Sequence, residues 1–328
     1  MDNSGIQELV TTGLTLDLEH EAARISDFIR KLLRAQLHRR GLVVAVSGGI
    51  DSSVCLALAV RTLGPKKVFA LLLPETDSSS ESVTLGRQVV DFFDVSYEIK
   101  NIASTLEAIG CYEQRDTAIR EIFPEYDSSW KNKIVISGGT AGAINHFYLV
   151  VQKPGGAQLK ERLALKQYLK IVAATNFKQR IRKNLEYFHA DRLNYAVIGT
   201  PNRLEYDQGF FVKNGDGAAD IKPIAHLYKT QVYAMARHLG LPDNICSTTP
   251  TTDTYSLEQG QDEFYFALPY QQMDAALWCY NHQIPATALA SYLNTSEEQA
   301  KAIYHDIESK RKTTSYLHMP PCVIEEIF

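Results

Sequence analysis

The sequence predicts an α/β fold: a parallel sheet covered by helices on both faces, followed by a helical C-terminal part. Three observations predict it. Short, continuously apolar runs alternate with segments of helical periodicity, the mark of strands buried on both faces. The first run enters a glycine and hydroxyl turn, SGGIDSS, that leads into a helix. The chain has 328 residues, 45% hydrophobic and 22% charged, enough for a substantial soluble core.

The elements follow in order. TLDLEHEAARISDFIRKLLRAQLHRRG opens with a cap expected at Thr15 or Asp17, then Leu18, Ala22, Ile25, Ile29, Leu32 and Leu33 on one helical face. Gly41 is the expected stop. LVVAVS is a buried strand, and a helix is expected over roughly residues 51 to 63. KKVFALLLP is a second strand, closed by Pro74; ESVTLGRQVVDFFDV reads as a helix, SYEIKNI as a third strand. A helical stretch around 161 to 190 precedes a fourth strand, NYAVIGT. Two regions break this rhythm. Residues 116 to 160 read as an insertion whose apolar pieces suit a hairpin. Residues 243 to 263 are polar and aperiodic, a long surface loop of the length often used as a mobile lid. Residues 264 to 328 look helical until HMPP. The chain reads as a single domain, 1 to 328.

The bulk numbers exclude several classes. A net charge of -4 without a strongly basic block argues against nucleic acid as the main partner. No apolar run is long enough to cross a bilayer, and MDNSGIQELVTTG lacks the basic and apolar regions of a signal peptide. The five cysteines (Cys55, Cys111, Cys246, Cys279 and Cys322) contain no C-x-x-C pair. That argues against a disulfide framework, a zinc site or a redox pair, and sets a reducing, cytoplasmic compartment as the expectation.

The turn is the chemical signal. Strand, SGGIDSS, helix places backbone amides and the hydroxyls of Ser47, Ser52 and Ser53 at a helix N-terminus, an anion site. Gly48 and Gly49 allow close approach to phosphate oxygens. Asp51 alone repels phosphate, so it asks for a cation such as Mg²⁺ between them. Neither a Walker A sequence nor G-x-G-x-x-G is present. S-G-G by itself equally suits a plain turn with Asp51 or Ser52 as cap. The chain holds such a control: ISGGTAG at 136 to 142 lacks Asp-Ser and a following helix, and reads as an ordinary loop.

With its strand and helix, the first copy resembles the pyrophosphate-binding loop of the N-type ATP pyrophosphatases. These enzymes cleave ATP between the α and β phosphates; the superfamily includes GMP synthetase, tRNA-thiolating enzymes and NAD synthetase. Residues 197 to 242, VIGTPNRLEYDQGFFVKNGDGAADIKPIAHLYKTQVYAMARHLGLP, are similar along their whole length to NAD synthetases. NFKQRIR, TTPTTD and QDE resemble further segments of that family, and the similarity covers roughly 20 to 110 and 170 to 315.

The resemblance implies a Rossmann-like, adenine nucleotide alpha hydrolase-like sheet. It also implies amidation of deamido-NAD to NAD with ATP as co-substrate, Mg²⁺ as cofactor, ammonia as nitrogen donor and a homodimer. Ser47, Asp51, Lys229 and Thr251 are the catalytic residues so implied. Gly48, Gly49, Ile50, Ser52, Ser53 and Thr200 join them around ATP and pyrophosphate. Asp51 and Glu205 are the implied metal ligands. Arg180, Phe210, Lys213, Asp216 and Asp220 are implied near deamido-NAD. The residues themselves agree in part: a carboxylate must be activated before it is amidated, and Lys229 would offset charge developing on phosphate. For KNGDGAAD, spacing alone suits a charged surface turn, and Phe210 and Phe211 suit a core. Three departures stand out: Leu72 for an arginine, Thr248 for a lysine, and Ser309 where relatives often carry histidine before Lys310 and Arg311. The rival expectations are a tRNA-modifying or GMP synthetase-like enzyme, and a nucleotide-sensing module without turnover.

Overall fold

The computed structural model describes residues 3–137, 146–247, 254–260, 265–266 and 268–325. In chain order, α1 (Asn3–Leu14) and α2 (Leu18–Leu32) precede β1 (Leu42–Ala45), α3 (Ile50–Leu63), β2 (Val68–Leu72), α4 (Ser80–Phe92) and β3 (Ser96–Ile99). Then come α5 (Ala103–Ala108), α6 (Cys111–Arg120), β4 (Lys131–Ser137), β5 (His146–Gln152), β6 (Gln158–Arg162), α7 (Leu165–Leu193) and β7 (Ala196–Ile198). The rest is helical: α8 (Arg203–Gln208), α9 (Lys229–His238), α10 (Asp243–Cys246), α11 (Tyr270–Asn281), α12 (Ala286–Leu293) and α13 (Glu297–His318).

The main sheet is parallel, in the order β3-β2-β1-β7, with Leu42 opposite both Val68 and Ala196. β1, β2 and β7 are apolar throughout because both of their faces are buried. Leu42, Val44, Ala70, Leu72, Ala196 and Ile198 point toward α2, α3, α4 and α9. Val43, Leu71 and Val197 point the other way, with Phe69 partly buried among them, into a core shared with α5, α6 and α7. Side chains alternate across a strand, so a run with no polar residue requires a helix layer on each side. The edge strand β3 lacks that constraint and alternates exposed and half-buried residues.

β4, β5 and β6 form a separate antiparallel sheet, with Ile134 opposite Leu149 and Leu149 opposite Glu161. The apolar pieces of the expected insertion thus pair as a hairpin, extended by β6. Ser137 ends β4, and the remainder of the second S-G-G lies outside the described residues. α7 joins the two sheets. Ile171, near its start, packs under β4 and β5, whereas Phe177, Ile181, Leu185 and Ala190 pack on the main sheet.

Three expectations are corrected. The first long helix is capped by Asp17, whose carboxylate accepts the His20 N–H at 3.0 Å, but it does not run to Gly41. It gives way to a π-helical turn over Leu33–Leu37, and His38 ends it in the left-handed region at φ 51°. The N-terminus carries a helix that the sequence reading did not predict. Ile6 and Val10 of α1, one helical turn apart, are fully buried with Leu277, Leu289 and Ile303 of the C-terminal helices. Finally, the 243 to 263 segment is not a surface loop throughout. It starts in α10, and Tyr255, Leu257 and Gln259 are buried beside β4. Its alternation of buried residues is too short and too polar in composition to register as strand-like.

Candidate active site

The turn after β1 is shaped by close packing. Gly48 takes φ +81°, and a Cβ on it would lie 2.5 Å from the Leu85 Cβ of α4. Only glycine satisfies both constraints. Gly49 is the N-cap of α3, and its carbonyl accepts from the Ser52 hydroxyl at 3.0 Å and the Ser53 hydroxyl at 2.8 Å. Ser47 Oγ accepts the Gly49 N–H at 3.3 Å. The result is the start of a 14-residue helix with its first amides gathered at the carboxyl end of β1, where the helix dipole favours an anion.

Opposite stands a partly buried charge cluster. Asp51, in the first turn of α3, forms an ion pair with Lys229 Nζ through one oxygen and accepts from Asn202 Nδ2 at 3.1 Å through the other. Asn202 is fully buried and caps α8: its Oδ1 accepts the Glu205 N–H, and Glu205 Oε2 accepts the Asn202 N–H. One capping box therefore fixes Glu205 while its amide steers Asp51. Lys229 is 1% exposed. Burial works against its charge, but the carboxylates of Asp51 and then Glu205 outweigh that and raise its affinity for the proton. The same two carboxylates, after burial, push the thiol of Cys55 well up beneath the turn. Lys229 opens α9, and Asp274 of α11 accepts its N–H at 3.1 Å and that of Thr230 at 2.7 Å. Asp274 thus anchors the helix end that carries the lysine.

The turn, Asp51, Glu205 and Lys229 line one cleft of about 1190 Å³. It lies where β1 has β2 on one side and β7 on the other, the switch point at which open α/β sheets bind ligands. The structure brings Ser47, Gly48, Gly49, Ile50, Asp51, Ser52, Thr200, Glu205 and Lys229 to this cleft, together with Arg180, Phe210, Lys213 and Asp216. At the second end, Arg180 Nε donates to the Lys213 carbonyl at 3.3 Å, and Lys213 Nζ donates to the Tyr316 carbonyl of α13 at 2.8 Å. Asp216 accepts the Val212 N–H at 2.8 Å, and burial pushes its carboxyl up. Phe210 stacks on Tyr265, ring centres 4.7 Å apart.

Two expected residues turn away. Ser53 is fully buried within α3, with its hydroxyl on Gly49 rather than toward the cleft. Asp220 accepts the Val197 N–H of β7 at 2.7 Å and the Tyr187 hydroxyl, so it fastens the sheet edge. Thr251, like Thr248, lies outside the described residues. Of the departures, Leu72 lines the cleft. Lys310 and Arg311 are engaged with Asp306 and with Asp207 and Asn281. Sequence reasoning missed Asn202, Asp274 and the buried Lys183–Glu186 pair, 2.7 Å apart on the cleft wall. Asn202 was detectable as the first residue of N-x-x-E, a capping-box signature after a strand. Asp274 has no local signal.

Among the described residues no three His, Cys, Asp or Glu side chains gather as a metal cage. Asp51 and Glu205 still suit a Mg²⁺ ion, which is commonly held by one or two carboxylates and completes its shell with phosphate oxygens and water.

The sheet order and the glycine turn define a PP-loop, Rossmann-like α/β protein. More narrowly, the chain belongs to the NAD synthase family, whose model matches residues 21–124 and 149–315. It is 55% identical over 315 residues to the NH₃-dependent NAD⁺ synthetase of Rhizobium meliloti, covering 96% of this chain and 94% of that one. The NH₃-dependent NAD⁺ synthetase of Rhizobium rhizogenes is 51% identical over 323 residues, 98% of this chain and 97% of its own. The structure of the Campylobacter jejuni NH₃-dependent NAD synthetase shares the fold, with a TM-score of 0.62 at 21% identity over 94% of this chain and 100% of that one.

Two outcomes follow from this geometry. Gly48→Ala should lower stability by about 2 kcal/mol, read as an earlier urea midpoint, because the added methyl meets Leu85 at positive φ. Burial raises the Asp274 carboxyl to about 6, against the pull of the Thr230 and Lys229 amides. An acid raised in the folded chain holds its proton more tightly there than when unfolded. Its contribution is therefore full below about pH 4 and is lost as the pH rises toward 6. Relative to Asp274→Asn, the wild-type chain should lose stability across that window and level off above it; a flat difference in melting temperature would contradict this.

Proposed function

We propose that this chain is a carbon–nitrogen ligase that amidates deamido-NAD to NAD with ATP and ammonia, the last step of NAD biosynthesis. The observation that carries the reading is the meeting, at the β1/β7 switch point, of the anion-binding start of α3 with the Asp51–Lys229 pair. Carboxylate oxygen is a poor leaving group, so the nicotinate carboxylate attacks the α-phosphorus of ATP. An acyl adenylate forms and pyrophosphate departs. Ammonia then attacks the acyl carbon; a proton is lost, the C–O bond breaks and AMP leaves.

The chain's own groups account for the phosphate chemistry. The amides of the turn, that of Ser52 among them, and the hydroxyl of Ser47 receive the pyrophosphate, and Lys229, held charged, offsets the charge that grows on it. Asp51 and Glu205 would hold Mg²⁺, which supplies Lewis-acid neutralisation of the phosphate oxygens. Thr200 and Thr251 are proposed as further nucleotide contacts. Arg180, Phe210, Lys213 and Asp216 are proposed to take the deamido-NAD end of the cleft. Asp220 is proposed to act there only through the sheet edge it fastens.

Ammonia is the proposed nitrogen source, since the chain spans 94% of a relative named for ammonia dependence. A homodimer is proposed on the exposed apolar side chains of α7, Leu165, Leu169 and Phe188. Cytoplasmic residence is proposed on the free, buried thiols of Cys55, Cys111, Cys246 and Cys279. Among the described residues no helix is long and apolar enough to cross a membrane.

Incubation with deamido-NAD, Mg·ATP and an ammonium salt should yield equal NAD and AMP by mass spectrometry, with glutamine giving neither. AMP without NAD would move the chemistry to another acceptor, as in the tRNA-modifying or GMP synthetase-like branches. The absence of both would favour nucleotide sensing. Asp51→Asn should lower turnover by about a thousandfold and, because it leaves the buried Lys229 short of its partner, should also lower the melting temperature while the helical circular dichroism at room temperature persists.

A further inference from the structure

The small sheet β4–β6 stands apart from the chemistry just described, and 125–148 falls between the two parts of the chain that match the family model. Its β4 edge opposite β5 is covered. The Leu257 N–H donates to the Asn132 carbonyl at 3.1 Å, and the Asn132 N–H donates to Ser256 Oγ at 2.8 Å. Lys133 Nζ donates to the Glu258 carbonyl at 3.0 Å, and the Gln259 side-chain amide donates to the Ile134 carbonyl. Asn132 is 1% exposed, and its Nδ2 divides between Tyr126 Oη at 2.8 Å and Ser256 Oγ at 3.4 Å. Tyr255 is buried with Ile134, Leu149 and Ile171. Just before it, the Thr254 carbonyl accepts from Lys178 Nζ at 2.8 Å, a buried lysine also paired with Glu75 and Asp77.

This covered strip has a second side. Tyr255, Ser256, Glu258 and Gln259 line the same cleft as the glycine turn and Lys229. Lys131 and Phe147, from β4 and β5, line it as well. A polar segment without helix or regular strand keeps one shape only if its backbone groups find fixed partners. Here β4 supplies them.

We propose that β4 is a positioning element for the ligase reaction: Asn132 and Lys133 hold residues 254–260 in place, and so form the cleft wall that contacts the nucleotide substrates. The proposal rests on the ligase reading for its kinetic part and on contacts alone for the rest. Neither Asn132 nor Lys133 lines the cleft, so both act through the strip they hold.

The test is the double variant Asn132→Ala/Lys133→Met, which removes the side-chain ties to the strip and keeps the two backbone ones, with Lys133→Met alone as the variant that leaves the buried cluster untouched. Tyr126→Phe is the control. It removes an acceptor of Asn132 inside the same cluster but leaves the bonds to 254–260 in place. Hydrogen exchange of amides 254–260 should quicken about tenfold in the double variant, and less in the single one. The KM for ATP or deamido-NAD should rise about tenfold with kcat within twofold. Tyr126→Phe should move the melting temperature and leave KM unchanged. Unchanged exchange in both variants, or faster exchange with unchanged KM, overturns the proposal. So does a KM that tracks melting temperature across all three. If the wild-type chain makes no NAD, the ligase reading fails while the exchange result still decides whether β4 holds the strip.

Discussion

A lysine that is 1% exposed and charged cannot stand without opposite charge, and the active region of this protein is organised around that requirement. Lys229 needs Asp51, which places the start of α3 against the start of α9. Asp51 needs a second donor for its other oxygen, which Asn202 supplies from the start of α8. The helix end that bears Lys229 has unpaired amides of its own, which Asp274 satisfies from α11. Three helices, α3, α8 and α9, are thus placed by the demands of one ammonium group, and α11 by the amides of the helix end that bears it. The arrangement also brings the phosphate turn and Glu205 to the same wall.

Much of this fold can be read from residue order. β1, β2 and β7 are legible because burial on both faces removes every polar residue from them, as in LVVA and VFALL. The glycine turn is legible because positive φ at Gly48 and the packing of Leu85 admit no side chain. What escapes is what depends on distant partners. Asp274 looks like any polar residue on a helix until α9 is set beside it. Asp220 and Ser53 belong to a motif, yet each is spent on a backbone group nearby. A motif records which residues occur together, not which way each one faces.

α7 shows how a second sheet is attached without disturbing the first. The helix is 29 residues long, more than the main sheet needs. Its second half closes one face of that sheet, and its first half extends beyond to carry β4–β6. The polar strip from Thr254 to Gly260 is caught between the two, tied to α7 through Lys178 and to β4 through Asn132. Packing, rather than local preference, shapes that strip, which is why its composition alone reads as a loop.

The hydroxyls of Ser52 and Ser53 both point back to the Gly49 carbonyl, which also takes the Ser53 N–H at 3.1 Å. That carbonyl is saturated from within the turn. What faces outward is the first amides of α3, with the Ser47 hydroxyl beside them and the Asp51 carboxylate already paired to Lys229. Such a surface recognises the phosphate chain that every nucleoside triphosphate shares, and it is blind to the base. Preference for adenine over guanine therefore has to be written elsewhere in the cleft, by groups that the turn neither contains nor constrains.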